Sequence, residues 1–319
     1  MVNITKDSIL ILGGTGHYGR YIVKSLLELG ESVKVATRNP EKARELLGEK
    51  PIIIKSDITN EDSLPQLLEE CRGIVICVSG FSRKTIRQIK KIERDSVIKV
   101  LDKARNKGIK RVVFISVYDF NEELIDELKI PQAEIKQDVE QYLKDSDFNW
   151  TVLGAGPSIE MFFRMIRGKT MAVPGGGPPA IPTISPIDLG KICAQAVIRE
   201  DLSQRRFRLT GPEAISFPDA AERISNIVGY RIKYRKIPLL PIKIASIITK
   251  LFNPYLWYLR KFIMLLNKFP HDLALKVPYD HAILRSTFDY EPTTLEIHAT
   301  MWQNQKKKEK GENFISDVS

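Results

Sequence analysis

Length and composition place this chain among ordinary globular proteins. Of its 319 residues, 43% are hydrophobic and 28% are charged, and 18 prolines with 19 glycines are too few for a fibrous or low-complexity chain. The sequence has no uninterrupted apolar run of about 18 residues and no signal-peptide pattern at its start, so we expect a cytoplasmic protein. Its three cysteines lack the spacing of a disulfide framework or a zinc site, and no metal site is predicted.

The formal net charge of +10 is concentrated in two stretches. Residues 81–111 contain twelve Lys or Arg and three acidic residues, whereas residues 230–270 contain nine Lys or Arg and no acidic residue. Aromatic residues are almost absent from the first stretch, which favours a helix with a solvated face over a nucleic-acid-binding surface. The second stretch mixes its basic residues with apolar and aromatic ones, a composition that also suits the surface of an anionic membrane.

The first predicted elements are a strand in SILILGG and a helix in HYGRYIVKSLLELG, where apolar residues recur at helical spacing. Four further strands are predicted in SVKVATR, PIIIKSD, GIVICVSG and RVVFISV, separated by helical segments at 40–47, 61–70 and 85–107. These strands are apolar throughout, which indicates a parallel sheet covered by helices on both faces. The predicted fold is therefore a doubly wound α/β Rossmann sheet, which a helix at 132–146 and a sixth strand in NWTVLGAG complete near residue 155.

After residue 155 the pattern predicts a smaller, mostly helical region. The segment 238–268 is expected to form two short helices broken at Asn253-Pro254, with Lys243 and Lys250 on one helical face. Three interpretations of this segment remain open: a pair of lid helices over an apolar substrate, a dimer surface, and an amphipathic membrane anchor. A lid or a partner surface is favoured over membrane contact.

A glycine-rich turn joins the first strand to the first helix. The residues LGGTGHYG, from Leu12 to Gly19, match both GxxGxxG and, from Gly14, GxGxxG. Backbone amides and the helix N-terminus converge at such a turn and hold a pyrophosphate, so the turn predicts a bound dinucleotide and leaves the chemistry open. The turn residues expected to contact the cofactor are Gly13, Thr15, Gly16, His17, Tyr18 and Gly19, with the His17 ring along the path of the phosphates.

The end of the second strand distinguishes the two forms of the dinucleotide. NAD-binding proteins place an acidic residue there, against the ribose 2′-hydroxyl, but this chain has Arg38. A guanidinium fits a 2′-phosphate, so NADP(H) is preferred over NAD(H) as the predicted cofactor. The alternative is a solvated arginine at a strand end.

The ends of the third and fourth strands supply further candidates. Asp57 closes the third strand, where it either caps the following helix or faces the adenine. Ile58 beside it, together with Val78 and Ser79 at the end of the fourth strand, is expected to border the same cofactor.

With these features in place, the chain resembles the NmrA-like NAD(P)-binding proteins of the atypical short-chain dehydrogenase/reductase superfamily. The resemblance covers about residues 8–236 and rests on five segments above all: GGTGHYG, TRNPEKA, SDITNEDSL, GIKRVVFIS and SPIDLGKICAQAV. It implies an NADP-binding Rossmann domain at 1–155 and a C-terminal substrate or lid region at 156–304, partly interleaved with the sheet. Residues 305–319 are expected to form a disordered basic tail.

The resemblance also implies roles for particular residues. Ser116 falls where these proteins keep a hydroxyl near the nicotinamide, and Lys136 matches a lysine placed over the ribose and nicotinamide. Gly156 and Pro157 match a loop along the carboxamide face. The Tyr-xxx-Lys pair of ordinary short-chain dehydrogenases is absent, since Tyr118 is followed four positions later by a glutamate.

If the protein is an enzyme, Lys136 is the candidate proton donor or oxyanion stabiliser, with Ser116 and Tyr118 as lower-ranked helpers. The alternatives are a solvated Lys136 paired with Glu140 at i+4, and a Tyr118 that only packs. The favoured function is an oxidoreductase acting on a small or apolar carbonyl, enone or quinone. A non-catalytic NADP(H)-responsive regulator or assembly factor with a protein partner is the second hypothesis. A monomer and a homodimer are both compatible with the sequence, and no nucleic-acid partner is expected.

Overall fold

Seven parallel strands form a continuous sheet in the computed structural model, which describes residues 8–119, 122–128 and 130–309. The strands of the described chain are β1 (Ser8–Leu12), β2 (Val33–Thr37), β3 (Ile52–Lys55), β4 (Cys71–Ile76), β5 (Arg111–Val117), β6 (Asn149–Ala155), β7 (Ile166–Arg167), β8 (Thr170–Pro174), β9 (Arg205–Leu209) and β10 (Lys233–Ile237). The order in the large sheet is β3-β2-β1-β4-β5-β6-β9. Successive strands therefore proceed outward in opposite directions from the β1/β4 boundary, and ligands of doubly wound sheets bind at this switch point.

Both faces of the large sheet are buried, as the apolar strands predict. The helices of the described chain are α1 (Gly19–Glu28), α2 (Pro40–Leu47), α3 (Leu64–Leu67), α4 (Ser96–Asn106), α5 (Glu122–Leu128), α6 (Pro131–Lys144), α7 (Glu160–Arg164), α8 (Pro186–Ile198), α9 (Phe217–Val228), α10 (Leu240–Thr249), α11 (Tyr255–Asn267), α12 (His271–Leu275), α13 (Val277–Thr287) and α14 (Leu295–Glu309). Residues Ile9 and Ile11 of β1 pack with α1 and α8 in one apolar cluster, whereas Leu10 and Leu12 pack with α3, α4 and α6 in another. This alternation is the two-residue period of a strand between two helical layers. The predicted doubly wound α/β fold is confirmed.

The sheet extends beyond the sixth strand, which the sequence pattern placed as the last. Strand β9 pairs with β6 in parallel register from Thr151↔Arg205 to Ala155↔Leu209. Helix α8, which precedes β9, packs closely on α1, because a Cβ at Gly190 would lie 2.7 Å from the backbone of Tyr21. Part of the C-terminal half thus belongs to the Rossmann layers.

A smaller sheet and its own core follow the large one. Strands β10, β8 and β7 form a three-stranded sheet, whose apolar cluster includes α9 and the start of α14. Helix α14 continues to Glu309, so the expectation of a disordered tail is wrong for residues 305–309, and residues 310–319 lie outside the described part. Gln303 connects the helix to α9 by donating to the carbonyl of Val228, and within the helix the Lys306 ammonium lies 4.1 Å from the ring centre of Trp302.

The segment 238–268 forms a helical hairpin. Helix α10 ends at Thr249 and α11 begins at Tyr255, so the predicted break at Asn253-Pro254 is confirmed. The described residues contain no helix with the length and apolar character needed to cross a bilayer.

Candidate functional site

The predicted site residues, except Lys136, lie at or just beyond the carboxyl ends of strands of the large sheet. Because the strands are parallel, their carboxyl ends meet at one edge. From β3 across to β6, that edge carries Asp57 and Ile58, then Arg38, the glycine turn, Val78 and Ser79, Ser116 and Tyr118, and finally Gly156 and Pro157.

The glycine turn is tight enough to exclude side chains. Gly13 has a φ of +89°, and a Cβ on it would lie 2.6 Å from the carbonyl oxygen of Cys77. A Cβ on Gly19 would lie 2.1 Å from the oxygen of Gly13, and one on Gly16 would lie 3.0 Å from the same oxygen. Gly16 is exposed, Thr15 is half-buried, and no side chain of the described structure caps the N-terminus of α1. Bare backbone and an open helix N-terminus fit the diphosphate of a dinucleotide.

His17 and Tyr18 tie the glycine turn to the segment after β6. The Nε2 of His17 lies 2.9 Å from Ser158 Oγ, and its Nδ1 accepts from Arg164 at 3.0 Å. Since a guanidinium only donates, Nδ1 carries no proton and Nε2–H is the donor to Ser158. Burial, and then the Arg164 charge, lower the pKa of His17 from 6.5 to about 4. The Tyr18 hydroxyl donates to the carbonyl of Gly156 at 3.4 Å. The His17 ring therefore forms a hydrogen bond to the segment after β6, which the sequence did not predict.

Arg38 lies at the carboxyl end of β2 with its side chain exposed. It forms no ion pair or hydrogen bond with the described residues, whereas its neighbour Asn39 caps α2 by accepting from the amide of Lys42 at 3.1 Å. The guanidinium is thus available to a ligand at this edge.

Asp57 does not cap the helix that follows it, so that alternative is wrong. Its Oδ1 accepts from the amide and the hydroxyl of Thr59, at 2.9 and 2.8 Å, and closes a local turn. The cap of the following 3₁₀ turn is Asn60, which accepts from the amide of Asp62. An aspartate that accepts hydrogen bonds from the residue two positions later forms a local turn, and its carboxylate is then not available to cap a helix.

The ends of β3 and β4 are only partly buried. Ile58 and Val78 pack against the same apolar cluster beneath the sheet edge, and the Ser79 side chain is exposed. The hydroxyl of Ser79 accepts from the amide of Phe81 at 3.2 Å. These residues lie at the carboxyl edge of the sheet, next to the glycine turn in strand order.

Lys136 projects from α6 into the sheet edge instead of into solvent. Its ammonium lies 3.3 Å from Glu93 Oε2 and 4.9 Å from the centre of the Phe114 ring, and the lysine side chain is 12% exposed. The other carboxylate oxygen, Oε1 of Glu93, accepts from the amide of Gly80 at 2.6 Å. The solvated alternative is therefore wrong, as is pairing with Glu140, whose Oε2 lies 3.0 Å from the guanidinium of Arg206.

Glu93 is the functional candidate that sequence reasoning missed. It lies in a π-helical turn, Lys91–Asp95, where the sequence predicted an uninterrupted helix from 85 to 107. Wide turns of this kind occur often at functional sites. The available signal was weak, because Glu93 is one of three acidic residues in the basic stretch 81–111, and its burial to 3% exposure could not be inferred from spacing.

Ser116 lies on the same face of the sheet as Phe114, two residues earlier on β5. Its hydroxyl is buried and has no hydrogen-bond partner among the described residues. A buried hydroxyl without a hydrogen-bond partner lowers the stability of the free protein. The same hydroxyl can donate one hydrogen bond to a ligand at this edge and accept another.

Tyr118 faces the C-terminal region. Its hydroxyl donates to Asp280 Oδ2 on α13 at 2.7 Å, and burial and this bond raise the pKa of Tyr118 well above its usual range. The bond holds the proton on the phenol, and a single-proton donor is then fully used. Tyr118 therefore does more than pack, because its hydroxyl forms a hydrogen bond to the C-terminal region. Its role as a helper in catalysis stays a prediction.

Gly156 and Pro157 are held by backbone contacts with the strand-like segment before α8. A Cβ on Gly156 would lie 2.0 Å from the carbonyl oxygen of Pro182, and the amide of Ile184 donates to the carbonyl of Pro157 at 3.0 Å. The loop is therefore fixed beside the glycine turn, to which Tyr18 connects it.

The geometry of the edge agrees with comparisons to known proteins. A family model described as NAD(P)H-binding matches residues 13–198. The chain belongs to this NAD(P)H-binding family. The match confirms the NAD(P)-binding family that the resemblance predicted, and a nicotinamide dinucleotide is the cofactor class of this chain.

Individual relatives are distant but cover most of the chain. It is 24% identical over 250 residues to the photosystem II assembly factor Ycf39 of Trieres chinensis, an alignment that covers 77% of each protein. Two similar solved structures are NADPH-dependent quinone oxidoreductase QOR2 of Escherichia coli with NADPH (19% identity, TM-score 0.68) and triphenylmethane reductase of Citrobacter sp. with NADP(H) (16% identity, TM-score 0.70). Each superposition covers 92% of this chain and 99% of the other. At these identities the solved structures establish a shared fold.

Proposed function

We propose that this protein is an NADP(H)-dependent reductase of a small or apolar carbonyl, enone or quinone compound. The proposal rests on the position of the Lys136 ammonium. The buried carboxylate of Glu93 holds this ammonium at the carboxyl edge of the sheet, which we call the cofactor edge. Surface lysines of a binding protein need no such support, whereas a group that stabilises developing charge must be fixed in position.

The preference for the phosphorylated dinucleotide is supported by Arg38. Its guanidinium is exposed at the end of β2 and unpaired among the described residues, so it can form charge-assisted hydrogen bonds to a 2′-phosphate. The two similar solved structures named above contain NADPH or NADP(H), which supports the same preference.

The nicotinamide, when bound, supplies the hydride. Lys136 would stabilise the negative charge that grows on the acceptor oxygen, and would donate a proton to it. Glu93 orients the ammonium through its Oε2. The other carboxylate oxygen, Oε1, accepts from the amide of Gly80, which fixes Glu93 itself. The unpartnered Ser116 hydroxyl supplies a further hydrogen bond at the same edge.

The substrate class follows from the side chains next to Lys136. Ile135 packs in an apolar cluster with Phe81 from the segment after β4 and with Tyr255 and Tyr258 of α11. Helix α11 thus acts as an apolar cover over this end of the edge. Apolar and aromatic walls with a few polar groups are typical of sites for small organic molecules.

A second candidate function is supported by the relatives. Because a protein similar over three quarters of this chain is named a photosystem II assembly factor, a non-catalytic NADP(H)-responsive assembly or regulatory role is the alternative. The two functions differ in whether NADPH is consumed.

The test is NADPH oxidation, followed by absorbance, with a panel of quinones, enones and aldehydes. We expect turnover with at least one acceptor, and a loss of about 100-fold or more in Lys136→Met, since a positioned acid contributes about that much. NADPH should still raise the melting temperature of the variant. The double variant Glu93→Gln/Lys136→Met removes the unpaired buried carboxylate, so it separates lost catalysis from lost stability.

Lys144→Met is the matched control, since this exposed lysine lies two turns later on α6. It should retain full turnover. If no acceptor consumes NADPH while NADPH still binds, the reductase assignment fails and the assembly or regulatory role takes its place. If Lys136→Met turns over normally, the lysine has no part in the reaction.

A further inference from the structure

Helix α10 presents an apolar face to solvent. Surface helices of globular proteins turn their apolar stripe toward the core. In α10 the arrangement is reversed: Ser246 is fully buried and accepts from Arg260 of α11 at 3.4 Å, while the apolar side chains point outward. The exposed fractions along the helix and the turn after it are 63% for Leu240, 51% for Ile244, 59% for Ile247, 63% for Ile248, 84% for Leu251 and 80% for Phe252.

These side chains form one continuous surface, which we call the α10 stripe (Leu240, Ile244, Ile247, Ile248, Leu251 and Phe252). Leu240, Ile244 and Ile247 follow one another at helical spacing. Ile248 comes one turn after Ile244, so these four side chains project from one side of the helix axis. Contiguous exposed apolar patches mark interaction sites in soluble and peripheral proteins. The function proposed above leaves this surface unused, because the apolar cluster beside Lys136 contains Tyr255 and Tyr258 of α11 and no residue of α10.

Basic side chains surround the α10 stripe. Lys243 and Lys250 are exposed on the same helix. The neighbouring segment after β4 adds Arg83, Lys84 and Arg87, all exposed. Arg87 connects this segment to the turn after α10 by donating to the carbonyls of Leu251 and Phe252, at 3.2 and 2.6 Å.

Acidic residues are missing from this part of the sequence. No Asp or Glu occurs between Glu222 and Asp272, and none occurs from 81 to 92. A second copy of the chain docking through this face would bring two sets of cations together, which is electrostatically unfavourable. An apolar stripe with a basic border instead complements a surface that is apolar inside and anionic at its edge.

We propose that the α10 stripe docks on an anionic lipid bilayer. The stripe would lie in the boundary between headgroups and acyl chains, with the surrounding Lys and Arg side chains against anionic headgroups. The helix lies in the plane of the interface, because its ten residues extend about 15 Å, half of the hydrocarbon thickness of about 30 Å. An anionic bilayer is thus complementary both to the apolar surface of the α10 stripe and to the positive charge around it.

The experiment is co-sedimentation of the full chain with phosphatidylcholine vesicles, with and without phosphatidylglycerol. We expect binding to the anionic vesicles at low salt, weaker binding at high salt, and little binding to phosphatidylcholine alone. Ile244→Ser/Ile248→Ser should lower the partition coefficient by about tenfold or more. Lys243→Glu/Lys250→Glu should lower it at low salt by about fivefold for each charge removed.

Leu29→Ser is the matched control, because Leu29 is an apolar side chain of similar exposure, 52%, at the other end of the sheet. It should bind vesicles as the wild type does. Hydrogen exchange of the wild-type chain gives a measurement that needs no variant: amides of 240–252 should gain protection with anionic vesicles.

Several results would overturn the proposal. They are the absence of sedimentation with anionic vesicles at low salt, full binding by Ile244→Ser/Ile248→Ser, and protection confined to other segments. A different result would assign the α10 stripe to a second copy of the chain. In that case the protein would not bind vesicles but would form concentration-dependent dimers, and Ile244→Ser/Ile248→Ser would abolish them.

Discussion

The position of the Lys136 ammonium depends on a residue 43 positions earlier in the sequence. Glu93 is 3% exposed, so its carboxylate is shielded from water and needs a charged partner. Lys136 satisfies one oxygen and the Gly80 amide the other, which leaves the pair rigid. Removal of either partner would leave a buried charge without compensation, a destabilising change in most proteins.

Arg38 tests the cofactor preference at the scale of one residue. Arg38→Asp should weaken NADPH binding by roughly 10- to 100-fold, because charge-assisted hydrogen bonds to the 2′-phosphate are lost and a repelling charge is added. NADH lacks that phosphate, so its affinity should change little. Titration of both dinucleotides by calorimetry measures the difference.

Arg44→Asp is the control for this prediction. Arg44 is exposed on α2, close in sequence to Arg38 but away from the strand end, and its substitution makes the same change in net charge. Equal losses of NADPH affinity in the two variants would show a general electrostatic effect and not a 2′-phosphate contact.

At the scale of elements, the first βα unit is built around contacts that leave no space for side chains. Gly13 and Gly19 bring the start of α1 against the end of β1, with the carbonyl of Gly13 in the path of a Cβ on Gly19. The π-turn at 91–95 is a second special element, because it carries Glu93 to the end of β4. The two elements flank the switch point of the sheet, where the cofactor crevice lies.

Gly19→Ala should disrupt the glycine turn. The new Cβ would lie 2.1 Å from one backbone atom and 2.7 Å from another, and backbone cannot move aside as a flexible side chain can. We expect a loss of about 1–3 kcal/mol or more in the free energy of unfolding, and NADPH binding weaker by at least about tenfold. Urea denaturation and fluorescence titration measure the two effects.

Gly73→Ala provides the comparison. A Cβ at this position of β4 meets its nearest neighbour at 3.4 Å, an ordinary contact, and the residue is remote from the turn. This variant should keep the NADPH affinity of the wild type. An unchanged affinity in Gly19→Ala would contradict the role of the tight turn in cofactor binding.

At the scale of the whole molecule, His17 links the Rossmann layers to the C-terminal region. It bonds Ser158 beyond β6 and Arg164 at the end of α7, while Tyr118 makes a second link to Asp280 on α13. In the α10–α11 hairpin, Tyr255 and Tyr258 of α11 pack in the apolar cluster beside Lys136, whereas the apolar face of α10 is exposed to solvent. Docking of α10 on a bilayer would therefore place the cover of the site next to lipid.

The His17 link predicts a dependence of stability on pH. In the folded protein its pKa is lowered to about 4, mainly by burial, whereas in the unfolded chain it is close to 6.5. Between these values the unfolded state binds the additional proton, so this contribution to stability is complete above pH 6.5 and is lost as the pH falls toward 4. His17→Gln keeps a neutral donor and acceptor and should lose less stability between pH 7.5 and pH 5 than the wild type.

Urea midpoints at the two pH values measure this effect. His271→Gln, an exposed histidine on α12, should retain the wild-type pH dependence. If His17→Gln does the same, protonation of His17 does not weaken the link between the two parts of the molecule.

Local sequence determined the Rossmann fold and the sheet edge at which the cofactor is expected. Apolar runs, glycine spacing and strand order act over short distances along the chain, and they were sufficient to predict six parallel strands, the glycine turn and the edge where Arg38 and Ser116 lie. The break in the hairpin at Asn253-Pro254 was equally local, because proline cannot continue a helix.

Tertiary structure decided which side chains meet at that edge. One alternative from the sequence paired Lys136 with Glu140 by helical spacing, but in the structure its partner is Glu93, which comes from the segment between β4 and β5. His17 likewise meets Ser158 across 141 positions. Such pairs depend on how layers pack and on which charges lose contact with water, and neither is encoded in the periodicity of one segment.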